Sequence, residues 1–168
     1  MSLFAIKDCF NLTFYKLGQS SPAFTVDYLN SGSFSLESDK TVAKKKGVDS
    51  IVFAGARTGS LTLEAELCSM DMLAANLGGK LTGEKIEITD VVPGDYYKIV
   101  GTFVTRDEQG EDTTRQITFH KAAFEPNSEI AFSATDIASF SFKLSLLLDT
   151  NNKLITIEPP NHGLSVSK

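Results

Sequence analysis

The chain has 168 residues, of which 42% are hydrophobic, and its formal net charge at pH 7 is −5. That length predicts a single domain with a packed core, and the negative charge argues against a protein that binds nucleic acid by neutralising phosphates. No apolar run approaches the roughly 20 residues of a membrane span, and the N-terminal residues lack the apolar core of a secretory signal, so we expect a protein made in the cytoplasm without a membrane partner.

Apolar and polar residues alternate along most of the chain, and this period of two predicts a mainly β protein built from antiparallel strands. The first predicted strands are Phe10–Phe14, with its large apolar residues on one face, and Ser33–Leu36, which follows a turn at Gly32. Each strand would cover one side of a core and leave its other side in water.

The segment between Leu36 and Gly59 has two interpretations. It is polar at first, then basic at Lys44–Lys46, and then apolar at Ile51–Phe53. It could be an extended hairpin with a solvated tip. It could also be an arm that packs on a neighbouring subunit, because so long a connection in a compact domain is usually functional or disordered.

The segment Gly59–Gly79 changes its period once, from strand spacing to helix spacing. Leu61–Leu67 alternates and predicts a strand, whereas the spacing after Ser69 predicts one short α-helix over about residues 69–78. Ser69 is placed to cap this helix, and the glycine pair would end it. A helix of about two turns is not stable alone, so we expect it to pack on the sheet. Its predicted apolar side consists of Met70, Leu73, Ala74 and Leu77.

Two hairpins are predicted in the second half of the chain. Glu84–Val91 and Tyr96–Thr105 would form the first, with the Pro93-Gly94 pair as its turn. The acidic, glycine-containing segment Asp107–Asp112 predicts an exposed turn that leads into a further strand over Arg115–Phe124.

The last predicted strands lie near the C-terminus. A segment that starts at Ile130 leads into Phe140–Leu148, the longest alternating run, and Asp149–Lys153 then turns the chain into Leu154–Ile157. The predicted domain organisation is one β domain over residues 1–160 and a flexible, small and polar C-terminal tail over residues 161–168.

No arrangement of residues predicts catalysis, so we expect no catalytic residue, no metal ion and no cofactor, and the chain is predicted not to be an enzyme. His120 lies on the strand face opposite Phe119, and a lone strand histidine is more often a satisfied side chain than a base. Cys9 and Cys68 lack metal-ligand spacing and are expected to be free thiols. The acidic turn Asp107–Asp112 lacks the alternating ligands of a calcium loop.

The order of these parts resembles that of phage tail tube proteins, which are also called major tail proteins. The resemblance covers about residues 4–158 and rests on the strand GSLTLEAEL, the helix that ends in LGG, and the segments ITFHKAAFEP and FSFKLSLLLDTNNKLITI. It implies a tail-tube-like β-sandwich or barrel with one flanking helix, whose subunits form hexameric rings that stack into a hollow tube for the genome. Type VI secretion tubes and contractile bacteriocins share a related fold, so a tube protein of that kind is an alternative.

The resemblance also implies that the long loop after the second strand, here Asp39–Arg57, contacts neighbouring subunits. Its apolar residues would anchor the contact, and its lysines would pair with acidic patches. The implied inter-subunit residues are Val42, Lys44, Lys45, Lys46, Val48, Asp49, Ile51, Val52 and Phe53.

Expectations about partners and location follow from the same resemblance. The chain would assemble with itself in the host cytoplasm, become part of the virion tail, and contact tape measure, tail terminator, baseplate or sheath proteins. DNA would pass through the lumen without specific binding, since an acidic lumen repels phosphates. An alternative of another class is a carbohydrate- or ligand-binding β-sandwich, whose stacking platforms would be Tyr15, Tyr28, Tyr96 and Tyr97.

Overall fold

The computed structural model describes residues 3–91, 94–126 and 129–159. These residues form antiparallel strands and one short helix, so the predicted mainly β fold class is confirmed. The predicted turn residue Pro93 and the predicted flexible tail 161–168 lie outside the described residues. In chain order the elements are β1 Phe4–Lys16, β2 Phe24–Val26, β3 Ser31–Lys45, β4 Val48–Ala65, α1 Met70–Leu77, β5 Lys80–Thr82, β6 Lys85–Glu87, β7 Tyr97–Asp107, β8 Asp112–Phe124, β9 Phe140–Leu146 and β10 Ile155–Glu158.

The main sheet is one continuous layer that bends back on itself. Its strand order is β2-β1-β7-β8-β9-β4-β3, and β10 pairs with β8 beside this path. Phe34 of β3 and Phe119 of β8 lie with their ring centroids 5.8 Å apart, although β9 and β4 stand between their strands in the sheet. The two halves of the sheet therefore face each other across the core, and within the described residues β2 and β3 remain its two ends.

The core consists of the inward side chains of both halves. Strand β9 shows the alternation, since Phe142, Leu144 and Leu146 are buried while the residues between them are not. Burying such a side chain stabilises the fold by roughly 1.5–3 kcal/mol. At Gly101 of β7 an added Cβ would lie 2.4 Å from Leu12 Cδ2, so this glycine allows β1 to pack closely on β7.

The helix prediction is confirmed in its position and its ends. The backbone N–H of Met72 donates to Ser69 Oγ at 3.2 Å, and Gly78 ends the helix in the left-handed conformation with a φ of 66°. The predicted apolar side is only partly right, because Met72, Ala74 and Asn76 are the buried residues and Met70 is exposed. The helix contacts both β2 and β5, so burial is not confined to one side of it.

The predicted hairpin between Glu84–Val91 and Tyr96–Thr105 is wrong. Strand β6 pairs with β5, and β7 pairs with β1 and β8. A nearer turn explains the difference, because Gly83 has a φ of 63° and closes a two-residue loop between β5 and β6. Glycine adopts such a φ at no steric cost, so a tight turn at Gly83 pairs β6 with β5, its neighbour in the chain.

The second predicted hairpin, formed by β7 and β8, is confirmed. The Asp107 carboxylate accepts backbone N–H bonds from Gln109 and Glu111 at 3.0 and 2.8 Å, which fixes the exposed turn. Beside the turn, Arg106 donates two hydrogen bonds to Asp112, at 2.6 and 2.7 Å.

The C-terminal strands differ from the prediction in their extent and pairing. Residues 129–139 form no strand, β9 ends at Leu146, and β10 pairs with β8. His120 Nε2 lies 2.6 Å from Thr156 Oγ1, so the imidazole joins β8 to β10 as a satisfied side chain. In the turn before β10, the Asp149 carboxylate accepts backbone N–H bonds from Asn151 and Lys153 at 2.9 and 2.8 Å.

This turn predicts a pH dependence of stability. The backbone N–H of Lys153, that of Asn151 and the nearby His120 and Lys153 side chains together lower the pKa of Asp149 below its ordinary value. A lowered folded pKa contributes stability that is present above the ordinary aspartate pKa of about 4 and is lost as the pH falls through the folded pKa. Asp149→Asn should remove this contribution. Urea unfolding of both proteins between pH 7 and pH 2.5 should show a stability difference that shrinks in acid, and parallel profiles would contradict the assignment.

Candidate assembly surface

The predicted inter-subunit loop is a β-hairpin that extends from the body of the protein. Strand β9 pairs with β4 only from Gly59 onward, so residues 37–58, which we call the arm, pair with each other. Lys46 and Gly47 join its two strands with φ values of 52° and 80°, as a type I′ turn requires. The interpretation as an extended hairpin with a solvated tip is confirmed, and the description as a loop is wrong because this turn keeps both strands paired.

The arm exposes apolar side chains along its length. Val48, Ile51, Val52 and Phe53 are all exposed, whereas Val42 is half-buried. A set of this size on one projecting hairpin is unusual for a monomeric protein surface and is typical of an interaction site.

The charged residues of the predicted site lie near the tip of the arm. Lys44 and Lys45 are the last residues of β3, and Lys46 is the first residue of the turn. The Nζ atom of Lys44 lies 4.0 Å from an Asp49 carboxylate oxygen. Both partners are exposed, so this ion pair adds little to stability. The structure therefore places all the predicted site residues on one hairpin. Their contact with a neighbouring subunit stays a prediction.

The register gives the arm two different faces. Thr41 pairs with Phe53, and Ala43 pairs with Ile51, so these four residues share one face, which we call the Phe53 face. Val42 pairs with Val52, and the alternation of β3 places Lys40 and Lys44 with them on the opposite face.

The ends of the main sheet were not predicted from the sequence. Strand β3 is the last strand, and among the described residues nothing pairs with its outer edge. At the other end, β2 covers only Leu12–Phe14 of β1, so the outer edge of Phe4–Asn11 is likewise unpaired within the described part of the chain. Exposed edges present unpaired N–H and C=O groups, which are templates for pairing with another chain.

An apolar groove of about 400 Å³ lies between β1 and β3, and it too was not predicted. Ile6, Phe34 and Ile157 line it, and their exposed fractions are 69%, 45% and 52%. Phe103, Ile117 and Phe119 form its floor. The lining residues come from strands that are far apart in sequence, so no local pattern could have indicated the groove.

Arg115 adds one positive charge to this region. It pairs with Phe103 across β7 and β8, and it shares a strand face with Ile117 and Phe119 of the groove. Its guanidinium carbon lies 5.4 Å from the centroid of the Phe4 ring. Its Nε atom is buried and has no hydrogen-bond partner among the described residues.

Two of the four tyrosines named as stacking platforms, Tyr28 and Tyr97, make contacts within the protein. Tyr97 packs against Phe14 and Phe24 in the core, and burial, followed by the charge of Asp95, raises its pKa to about 12. The Tyr28 hydroxyl accepts a hydrogen bond from the backbone N–H of Ser69 at 2.9 Å, at the start of the helix.

Among the described residues there is no group of three or more side chains that could hold a metal ion. Within the same residues no helix is long and apolar enough to cross a membrane. Burial raises the pKa of the free Cys68 thiol to about 11, which keeps it protonated and unreactive at neutral pH.

The fold is similar to that of chains in two solved assemblies of the anti-feeding prophage. No protein-family model and no curated protein matches the sequence. A chain in the structure of the anti-feeding prophage baseplate, determined with six-fold symmetry, matches with a TM-score of 0.54 and 15% identity over 95% of this chain and 98% of that chain. A chain in the cap that terminates the anti-feeding prophage tube matches with a TM-score of 0.50 and 15% identity over 90% and 89% of the two chains. Because both chains are only 15% identical to this one, the similarity shows a shared fold.

Proposed function

We propose that this chain is a structural subunit of a phage tail tube. Copies would join head to tail into rings of six, and the rings would stack around a lumen that conducts DNA. The observation that carries the proposal is an open sheet with an unpaired edge at each end, beside a projecting arm with exposed apolar residues.

Pairing between the two edges explains how a ring could close. The outer edge of β3 in one copy can pair with the Phe4–Asn11 edge of β1 in the next, which is a heterologous contact. Such contacts form a ring when the rotation between copies closes, and closure would cover the outer edge of β3 and the Phe4–Asn11 edge of β1. The baseplate whose chain shares this fold was determined with six-fold symmetry, which supports six copies as the ring number to test.

The arm would connect neighbouring subunits. It extends beyond the part of β4 that β9 covers, and its exposed valines, Ile51 and Phe53 do not contribute to the core of their own chain.

The further partners in this proposal are tape measure, terminator, baseplate and sheath proteins. The location is the virion tail after assembly in the host cytoplasm, and the role is structural rather than enzymatic. The net charge of −5 suits a lumen along which DNA slides without binding.

A second candidate is a tube subunit of a contractile injection system or a related secretion device. The similar chains come from the baseplate and the tube cap of the anti-feeding prophage, and this favours a subunit of such a particle as the second candidate. Cargo in purified particles separates the two, since nuclease-protected DNA would indicate a phage tail.

Self-assembly of the purified protein tests the proposal. Light scattering and negative-stain electron microscopy should be carried out over a range of protein concentrations, with and without sulfate, which strengthens apolar association. We expect rings or hollow filaments of regular width. A monomer under all these conditions, including after addition of baseplate proteins from the same genome as an initiator, would contradict the proposal.

A further inference from the structure

The groove between β1 and β3 has an apolar lining that is left partly uncovered by the described residues. Ile6, Phe34 and Ile157 are exposed within it. Its volume of about 400 Å³ lies at the lower end of the range for binding pockets, so it suits a few side chains. The residues that line it carry no charge, and burying an unpaired charge against an apolar surface is costly. The groove therefore fits a short, uncharged apolar segment.

The chain leaves the described part of the structure beside this groove. Ile157 of β10 lines the groove, and Pro159, two residues further on, is the last described residue. Residues 160–168, which we call the C-terminal segment, can span up to about 30 Å when extended. Across the groove, the ring centroids of Phe34 and Phe119 lie only 5.8 Å apart. The C-terminal segment therefore begins next to the groove and is long enough to enter it.

The C-terminal segment contains the matching side chains. Leu164 and Val166 are its aliphatic residues, and Ser165 stands between them. In an extended chain Leu164 and Val166 would lie on one side and Ser165 on the other. These three residues carry no charge, as the lining of the groove requires. Asn161 and Gly163 precede them, and both are residue types that favour turns, so the chain can reverse there and return to the groove.

The covalent tether favours this segment over an occupant from another molecule. A segment joined to its site by a short linker has an effective concentration on the order of millimolar, whereas a second copy must compete from solution. The other parts of this chain outside the described ranges are the residue pairs 1–2, 92–93 and 127–128, which are too short to fill the groove. The C-terminal segment is therefore the occupant that both its position and its length support.

We propose that Leu164 and Val166 bind in the groove of their own chain and cover Ile6, Phe34 and Ile157. The bound segment would shield an apolar surface that otherwise promotes association with other proteins. The small, polar composition of the segment predicts flexibility, but composition does not show that an apolar groove lies beside it. This inference concerns a single chain and does not depend on the proposed self-assembly.

Tryptophan fluorescence tests the binding, because the chain contains no tryptophan. In Leu164→Trp and Val166→Trp the introduced indole should emit at a shorter wavelength than exposed tryptophan, and acrylamide should quench it severalfold less. Ser165→Trp and Ser167→Trp are the matched controls, since alternation places their side chains away from the groove. At concentrations where light scattering shows a monomer, the shift should not change on dilution, because the contact lies within one chain.

A change in the groove shows where the indole binds. Ile6→Asp places a carboxylate in the apolar lining and should abolish the shift of Leu164→Trp. Val48→Asp is the matched control, since Val48 is 69% exposed, as Ile6 is, but lies on the arm outside the groove. Thermal unfolding establishes that each variant is folded. Ile157→Asp is a second groove variant, which keeps the test decisive if Ile6→Asp does not fold.

Three results would overturn the inference. The first is emission of Leu164→Trp and Val166→Trp at the wavelength of exposed tryptophan, or equal shifts at all four positions. The second is a shift that persists in folded groove variants. The third is a shift that appears only when the protein assembles, which would indicate a site on a second copy. None of these results bears on the proposed function, which the self-assembly experiment decides separately.

Discussion

Replacement of Val42–Val52 by Asn-Gly is expected to leave a folded monomer that forms neither rings nor tubes. The register supports this design, because Thr41 and Phe53 are direct partners and Asn-Gly is a favoured two-residue turn between paired strands. The shortened hairpin retains the sheet up to this pair and loses most of the exposed apolar surface. Light scattering should show no assembly at concentrations where the unmodified protein assembles, and circular dichroism should show a β content lowered only by the strand residues removed.

A control variant separates the loss of the arm from a change in its turn. Lys46→Asn creates an Asn-Gly pair with Gly47 at the existing tip, where both residues already have positive φ. This variant keeps the whole arm and should assemble normally. Tubes formed by the shortened protein would show that the arm is not required, and an unfolded shortened protein would show that the arm stabilises the body.

Phe142→Ala is expected to destabilise the fold by about 3–5 kcal/mol, because it removes a large side chain from a fully enclosed position. Phe142 has 0% exposure and packs against Phe140 with the ring centroids 6.1 Å apart. Since small domains have a total stability of about 5–15 kcal/mol, this loss is a large fraction of it. Urea unfolding followed by circular dichroism measures the change.

Phe53→Ala is the matched comparison, since it removes the same side chain from the arm. Phe53 is 60% exposed, and its substitution should change the free energy of unfolding by no more than about 0.5 kcal/mol. It should nevertheless weaken assembly. Equal losses of stability in the two variants would contradict the division between core residues and arm residues.

Local patterns predicted the elements whose determinants lie close together in the sequence. The change of period after Leu67, the cap at Ser69 and the acidic turn after Asp107 each depend on a few neighbouring residues, and each predicted element is present. The arm could also be predicted as a hairpin, since the Lys46-Gly47 turn lies between two stretches that pair directly. The lysines before this turn interrupt the alternation of apolar and polar residues that indicates strands.

Features that depend on long-range pairing could not be predicted in this way. The period of two in Glu84–Val91 indicates a strand but does not identify its partner, and Gly83 directs that strand to β5. The groove brings Ile6, Phe34 and Ile157 together from three distant parts of the chain. The unpaired edges depend on the strand order of the whole sheet, which no single segment specifies.

Electron cryo-microscopy of the assembled protein tests the proposed ring closure most directly. We expect closed rings in which the β3 edge of each subunit pairs with the Phe4–Asn11 edge of β1 in the next, so that one β-barrel continues around the lumen. The arm should then lie on a neighbouring subunit. A reconstruction in which the β3 edge faces solvent, or in which subunits contact each other through the helix instead, would contradict the proposed assembly.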